Sequence, residues 1–473
     1  MNQLRRTRIV CTIGPSSSSP AVLRAMIQAG MDVARLNFSH GDPATHRQAA
    51  ANLREAAEAM GRYVALMGDL QGPKIRTGSL PSSFQRLARG RHVVMTSAAA
   101  EHGKGEDQIQ VSHPELVEAL RPGDRVLLDD GRIELVVRAH GNGRAEATVV
   151  RGGLLGERKG ISVPGRPLPM PALTAKDIED LKLAVELGVD FLALSFVRQP
   201  EDVLACQEHL SALDCKVPII AKLEKLEAIR NLGEILEVTD AVMVARGDLG
   251  VELKLGEVPA VQKEIIDRAN RAGVPVITAT EMLESMVTSN RPTRAEVSDV
   301  ANAIWDGTDA VMLSQETSVG AHPVEAVRAM ARICVSAQRH PTFERARQIW
   351  REPGQVGSAI AHAAAATATE LGARVIIAFT ESGTTALRCS KARPPMPVIA
   401  ASPNPGVLRQ TALFSGVTPL LVSPGRDTDQ MIANATHAAL ESGMVRPGDT
   451  VVVVAGVPVG QPGQTNLLKV ETV

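Results

Sequence analysis

Residues 217–250, VPIIAKLEKLEAIRNLGEILEVTDAVMVARGDLG, constrain the fold more than any other stretch. Two apolar runs suited to strands, 219–221 and 241–245, each end in charge. The first ends in Lys222 and Glu224, the second in Arg246, Gly247 and Asp248. Between them Leu226, Ile229, Leu232, Ile235 and Leu236 recur at helical spacing. In a parallel sheet the two strands of such a unit point the same way, so both charged ends reach one rim. An ammonium and two carboxylates meeting there suit a divalent metal bridged to an anionic substrate. A solvated Lys222–Glu224 pair beyond a strand end is the plainer alternative.

The same alternation recurs along the chain. Strand-like segments at 8–13, 31–38 and 63–67 are separated by helical ones, the first entered at Pro20 and closed by Gly30. Further strands at 190–197, 217–222, 240–245, 274–279 and 309–313 alternate with helices at 175–187, 200–212, 225–237, 258–271, 294–305 and 323–338. Eight strands in this pattern predict a (β/α)8 TIM barrel interrupted after its third strand, with an open doubly wound sheet as the competing topology. From about 74 to 168 the helical period fades. Strands at 92–96, 125–128, 133–137 and 145–150, with hairpin signals at Asp130-Gly131 and Gly141-Asn142-Gly143, predict an inserted small β-barrel lid domain. The proline-rich SVPGRPLPMPAL (162–173) would be its hinge. After a polar stretch at 339–356, strands at 375–379, 398–400, 419–422, 450–455 and 467–473 predict a C-terminal three-layer α/β domain. The expected divisions are 1–72 and 169–340 for the barrel, 73–168 for the lid and 341–473 for the C-terminal domain.

Composition narrows the function classes. A chain of 473 residues exceeds what one core organises. A net charge of −1 gives no global attraction to nucleic acid or anionic membrane. Aromatic residues are scarce, with Tyr63 the one tyrosine, which argues against base-stacking platforms. The five cysteines are scattered without a C-x-x-C pair and read as reduced thiols of a cytoplasmic protein. No apolar run is long enough to span a bilayer, and the first residues, MNQLRRTRIV, lack the apolar core of a signal peptide.

In a parallel barrel the reactive face forms where strands end. Those positions carry Arg35, Asn37, Ser39 and His40; Asp69; Ser195; Lys222 and Glu224; Gly247 and Asp248; Thr280 and Glu281; Ser314 and Glu316. Singly, Thr280 and Ser314 could cap helices, His40 could be structural and Arg35 a satisfied barrel arginine. Jointly they form a set with one chemical sense. Glu224 and Asp248 are hard oxygen ligands for Mg2+ or Mn2+, and Lys222 and Arg35 can neutralise a phosphoryl group. The run ARGDLG can offer backbone N–H groups to a carboxylate at a helix start. This inventory points to phosphoryl or enolate chemistry on a small acid.

These residues, in this order, resemble the pyruvate kinase family from end to end. The segments that carry the resemblance are TRIVCTIGPSS, GMDVARLNFSHG, GDLQGPKIRTG, LALSFVR, IIAKLEKLEAIRNL, VMVARGDLGVE, ITATEMLESM, RPTRAEVSDVANAIWDGTDAVMLSQET and NLLKVETV. The resemblance implies transfer of the phosphoryl group of phosphoenolpyruvate to ADP, giving pyruvate and ATP. It implies that Glu224 and Asp248 hold the divalent metal and that Lys222 faces the transferring phosphoryl group. Arg35 would bind phosphate, and Gly247, Asp248 and Thr280 the substrate carboxylate, with Ser195 nearby. Thr280 and Ser314 would lie on a proton relay to the enolate. Arg76, the lid residue Lys159, and His40 would approach the nucleotide. A homotetramer is implied by the resemblance alone.

Two departures from the family pattern generate expectations. Members that need K+ hold it with residues like Asn37, Ser39, Asp69 and the carbonyl of Leu70, and carry Glu where this chain has Lys74. A lysine there is a tethered monovalent cation, so K+ is expected not to be required, although Thr77 departs from the aliphatic residue usual in K+-independent members. The loop Thr380, Glu381, Ser382, Gly383, Thr384 and Thr385 resembles the family's effector phosphate loop. Members activated by fructose bisphosphate carry Lys at the position of Glu381, so the expected effector is a monophosphate, or none. Two rival classes remain at this stage: another Mg2+-dependent 2-oxo acid barrel lyase, and a degenerate family member acting as a metabolite-binding regulator.

Overall fold

The structure, a computed structural model, describes residues 5–80, 83–97, 107–166, 170–345, 354–458 and 464–473. Eight parallel strands form a closed ring: β1 (Arg8–Thr12), β2 (Val33–Asn37), β3 (Ala65–Asp69), β4 (Phe191–Leu194), β5 (Ile219–Leu223), β6 (Ala241–Ala245), β7 (Val276–Ala279) and β8 (Ala310–Leu313). Each pairs with its neighbour in chain order, and β8 returns to β1 through Arg8↔Ala310 and Val10↔Met312. Closure removes every sheet edge and rules out the open doubly wound alternative. The strand period of two then sorts the side chains. Ile9, Cys11, Leu66 and Val242 pack outward against the helices, whereas Val10, Val33, Met67, Ala193, Ile220 and Met312 fill the interior. Counting on by two from those interior positions reaches Thr12, Arg35, Asp69, Ser195, Lys222 and Ser314 at the carboxyl ends.

Four of the surrounding helices begin where a side chain satisfies free backbone N–H groups, at Ser19, Asp42, Thr174 and Thr293. Thr174 with Asp177, and Thr293 with Glu296, form reciprocal capping boxes for the helices Ala175–Glu186 and Arg294–Trp305. The single helix expected at 225–237 is two, Leu226–Arg230 and Leu232–Val238. The break falls at Asn231, whose side-chain amide donates to the Arg198 carbonyl at 2.8 Å instead of facing solvent along a continuous helix.

After β3 the chain enters the insertion. A six-stranded sheet runs in the order Ile161–Ser162, Arg125–Leu128, Ile133–Gly141, Arg144–Arg151, His92–Ser97, Gln108–Val111, around a core of its own. Residues 75–78 bridge its two outer strands: Ile161 N–H donates to Ile75 O at 2.9 Å and Gly78 N–H to Gln110 O at 2.8 Å. That bridge links the two outer strands, and the expected lid takes the form of a half-barrel. Asn142 and Gly143 both take positive φ, the signature of the tight hairpin turn read at that position. The strands Phe84–Leu87, Gln108–Val111, Gly153–Gly156 and Ile161–Ser162 and the helix Pro114–Ala119 went unread because each is too short to show a period. Residues 167–169 of the expected hinge and 346–353 of the expected boundary lie outside the described residues.

The C-terminal sheet has the order Val417–Leu421, Val398–Ser402, Val375–Phe379, Thr450–Ala455, Leu467–Thr472, the last antiparallel. The helix Thr428–Glu441 covers one face. Helices Val356–Glu370 and Thr384–Lys391 cover the other and share a core with the barrel interior. A buried ionic cluster seals this junction. Lys391, 1% exposed, meets Asp309 at 2.7 Å and Asn270 Oδ1 at 3.0 Å, and Arg393 reaches the other Asp309 oxygen at 2.9 Å. Burial works against the Asp309 charge, but Arg393 and Lys391 outweigh it and hold its pKa below the ordinary value. For Lys391 burial wins and pushes its pKa down to about 8.

Lys391→Met is expected to lower stability by roughly 3 kcal/mol in denaturant unfolding, because it leaves a buried carboxylate with one cation fewer. The deficit has a defined pH dependence. The folded pKa of about 8 lies below the unfolded value of 10.5, so the unfolded state binds more protons between them and wild-type stability rises with pH. The gap to the Met variant, which does not titrate there, should widen across that window. A constant gap would contradict the assignment.

Candidate active site

The charged centre is built from β2 to β5. Asp69, the last residue of β3 and 1% exposed, is gripped from two sides. Arg35 Nε donates to Oδ2 at 2.6 Å, and Lys222 Nζ to Oδ1 at 3.2 Å. Arg35 is fixed from behind by Thr12 Oγ1 at 2.9 Å, whose own hydroxyl donates to Leu313 O at 3.1 Å. Lys222 Nζ also meets Glu224 Oε1 at 2.9 Å and Ser195 Oγ at 2.6 Å. The Ser195 hydroxyl donates to Leu70 O at 2.7 Å, and the second Glu224 oxygen accepts the Phe196 N–H at 3.0 Å. Six of the residues read from the sequence, Arg35, Asp69, Leu70, Ser195, Lys222 and Glu224, therefore form one connected network.

Electrostatics assign each group a charge state. Burial opposes ionisation of Asp69, but Arg35 and Lys222 outweigh it and the carboxyl lies below its ordinary pKa. Burial also opposes the Lys222 ammonium, and Asp69 and Glu224 reverse that to raise its pKa. Lys222 is thus a fixed cation at neutral pH, not a base. Glu224 moves the other way: burial, joined by the field of Asp248, lifts its pKa against the pull of Lys222. Glu224 and Asp248 together line a cavity of about 90 Å³ between barrel and lid, whose walls include Lys74, Asp130, Ser162 and Glu252. Two hard-oxygen carboxylates that repel each other in one cavity fit a divalent cation. Among the described residues no three His, Cys, Asp or Glu side chains group as a metal cage, so water and substrate would complete the coordination.

The other wall comes from the loops after β6 and β7. The chain turns from β6 directly into a short helix, Arg246–Glu252, so Gly247 and Asp248 sit at its start. Gly247 N–H donates to Thr280 Oγ1 at 2.8 Å. Thr280 and Glu281 are both left-handed, with φ of 68° and 53°. Such a conformation costs a side-chain-bearing residue of order 1 kcal/mol each, and a β-branched threonine is an outlier there. Thr280 caps no helix. Ser314 precedes the helix Gln315–Ser318, but its side chain makes no capping bond. Instead its N–H meets Glu316 Oε2 at 2.6 Å, and the other Glu316 oxygen accepts the Leu283 N–H at 3.0 Å. The capping alternatives for Thr280 and Ser314 are thereby set aside.

The lid side carries the remaining cations. His40 has its pKa lowered first by burial and then by Arg76, Lys74 and Arg35, so these four positions share one electrostatic region. Arg76 donates to Arg158 O at 3.0 Å, and Lys159 Nζ pairs with Asp129 at 3.0 Å while half-exposed. Thr77, the departure noted above, serves the lid locally, its hydroxyl accepting the Lys159 N–H at 2.9 Å. Asn37 and Asp69 are register partners across β2 and β3, and Ser39 N–H donates to Asn37 Oδ1 at 3.1 Å. The Asp69 oxygens are held by Arg35 and Lys222, not by Lys74, whose Cε instead lies 3.7 Å from where a side chain on Gly160 would begin. Lid and rim also touch directly, Ser162 Oγ donating to Glu252 Oε1 at 2.9 Å, with Lys225 Nζ on the same oxygen at 2.5 Å.

In the C-terminal domain, Thr380 follows the Val375–Phe379 strand and Gly383, at φ 86°, opens the helix Thr384–Lys391. Ser382 and Thr384 hydroxyls are 3.0 Å apart, and Thr385 Oγ1 meets Thr465 Oγ1 at 3.0 Å, to which Arg388 also donates at 3.1 Å. Sequence reading missed Thr12, Glu252, Arg388 and Thr465, and placed Arg246 at a strand end without giving it a role. For Thr12 the signal was available, two residues beyond the interior Val10. The others become visible only when distant segments meet.

A family model for the pyruvate kinase barrel domain matches residues 4–327, and one for the pyruvate kinase alpha/beta domain matches residues 358–471. A pyruvate kinase of Mycobacterium tuberculosis is 46% identical over 469 residues, covering 99% of this chain and 98% of the relative. One of Geobacillus stearothermophilus is 45% identical over 477 residues, covering 99% of this chain and 80% of the relative. One of Staphylococcus saprophyticus is 44% identical over 479 residues, with 99% and 81% coverage.

Gly72 tests the packing beneath the site. It has φ 69°, and a Cβ there would lie 2.7 Å from Phe196 Cδ2 and 3.0 Å from Ser195 Cβ. Gly72→Ala is expected to cost about 2 kcal/mol in unfolding free energy, from left-handed strain plus displacement of Phe196. An unchanged thermal midpoint would show that the loop relaxes freely.

Proposed function

The chain belongs to the pyruvate kinase family and transfers the phosphoryl group of phosphoenolpyruvate to ADP, giving pyruvate and ATP; from that premise we propose how its residues divide the work. Lys222 and Arg35 present two fixed cations to the transferring phosphoryl group. Phosphoryl transfer through a loose transition state needs charge compensation and alignment more than a covalent nucleophile. The observation that carries this reading is the double grip of Asp69, which holds both cations in place. Gly247, Asp248 and Thr280 bind the substrate carboxylate, with Ser195 behind Lys222. Thr280 and Ser314 lead a proton toward the enolate carbon. Arg76, Lys159 and His40 meet the nucleotide phosphates as the lid closes.

Glu224 and Asp248 would hold Mg2+ or Mn2+, which when bound supplies further positive charge to the phosphoryl oxygens. The remaining assignments extend the family likeness. The domains divide at 72, 168 and 340, the protein works in the cytoplasm, and it assembles as a homotetramer. Among the described residues no helix is long and apolar enough to cross a membrane. Asn37, Ser39, Asp69 and Leu70 outline a monovalent-cation site whose charge Lys74 supplies in place of K+. Support for this is the shared field of Lys74, Arg76 and Arg35 at His40, not an ion pair to Asp69. Thr380, Ser382, Gly383, Thr384 and Thr385 cradle one effector phosphate, and Glu381 repels a second.

Pyruvate formation from phosphoenolpyruvate and MgADP in K+-free buffer tests the whole assignment. Wild type is expected to turn over there, and added K+ to change the rate by less than about twofold. Glu224→Gln is expected to lower kcat by about 100-fold or more. Lys74→Glu should lose K+-free activity and regain it with K+; undiminished K+-free turnover in that variant would remove Lys74 from the role. Strong activation by low concentrations of fructose 1,6-bisphosphate would overturn the single-phosphate reading of the effector loop.

A further inference from the structure

Thr280 and Glu281 are consecutive non-glycine residues in the left-handed region, at the reactive end of β7. A strained pair persists only where its surroundings hold it, and here one side chain holds both carbonyls of the pair. Arg246 Nη2 and Nε donate to the Thr280 carbonyl at 2.7 and 3.2 Å, and Nη2 also reaches the Glu281 carbonyl at 3.2 Å. The other edge of the guanidinium is anchored, with Nη1 2.7 Å from Asp299. The next residue in the chain, Gly247, donates its N–H to the Thr280 hydroxyl at 2.8 Å. Two neighbouring residues thus bracket Thr280, one by its carbonyl and one by its side chain.

We propose that Arg246 is a positioning residue for the phosphoryl-transfer reaction: its guanidinium locks the 280–281 turn so that the Thr280 hydroxyl faces the helix start at Gly247 and Asp248. This rests on the assignment of Thr280 to the substrate carboxylate and proton path. Without the clamp the two carbonyls have no reason to point inward, and both residues relax toward ordinary backbone angles that swing the hydroxyl away. The geometry needs an arginine. A planar fork can meet two adjacent carbonyls and a carboxylate at once, whereas an ammonium offers no such spread.

The test is steady-state kinetics of the full-length protein with thermal midpoints measured alongside. Arg246→Met is expected to lower kcat/KM for phosphoenolpyruvate by about 30-fold, with KM for ADP within about twofold of wild type. Adding Glu281→Gly to that variant should recover at least about threefold of the loss, because glycine takes a positive φ freely and the turn can form without the guanidinium. Glu281 suits this purpose, since its side chain is exposed. No rescue, or an equal loss toward ADP, would mean that Arg246 supports the fold in general and would overturn the proposal. Thr280→Ala separates the two layers. If it leaves kcat/KM for phosphoenolpyruvate unchanged, the Thr280 assignment itself fails; if it lowers kcat/KM while Arg246→Met does not, only the clamp fails. Should Arg246→Met not fold, Asp299→Asn releases the anchor and is expected to raise KM for phosphoenolpyruvate at least about threefold; an unchanged KM would then overturn the proposal.

Discussion

The structure of the reactive rim depends on one carboxylate. Asp69 is buried, and burial alone would neutralise it, yet Arg35 and Lys222 keep it ionised. The same contacts hold the two cations at fixed positions. A buried ionic group of this kind adds little net stability, because the desolvation of each member offsets its attraction to the others. Its persistence makes sense as preorganisation: charge aimed in advance at the place where a phosphoryl group must pass. Thr12 and Ser195 complete the arrangement by meeting one cation each, Arg35 and Lys222, and Ser195 Oγ also lies 3.4 Å from Asp69 Oδ1.

The insertion depends on the barrel for more than attachment. Its two outer strands are linked through residues 75–78, a few residues after β3 ends. Lys74 and Arg76 flank or belong to that linking segment, so the cations offered by the lid are tied to the same backbone that links its outer strands. Glu252, on the short helix after β6, receives both Lys225 from the barrel and Ser162 from the lid. A displacement of the lid therefore breaks a hydrogen bond to the very helix that carries Gly247 and Asp248.

At the opposite end the barrel is stoppered by the C-terminal domain. Asp309 precedes β8, and Ser314 follows it, so the buried Lys391–Asp309 contact and the reactive rim lie at the two ends of one strand. Lys391 in turn ends the helix that the loop at 380–385 begins. Lys391 and Asp309, which join that helix to the strand, are both fully buried.

Much of this was legible in the residues themselves. The alternation of apolar strands with helical periods set eight parallel strands, the interruption after the third, and the separate C-terminal sheet. The hairpin at Asn142-Gly143 followed from local backbone chemistry, and the polar residues at strand ends followed from the common direction of parallel strands. What the chain order could not contain is the meeting of distant segments. Nothing near Asp69 in the sequence says that Arg35 and Lys222 share it, or that Arg246 reaches across to hold the turn at Thr280. Nor does the chain order say that Lys74 faces Gly160 while the Asp69 oxygens are taken elsewhere. Local propensity and period are properties of neighbouring residues, and they determine the elements. Which charged groups pair is decided by barrel closure and by burial, since only these bring the groups together and make leaving one unpaired costly.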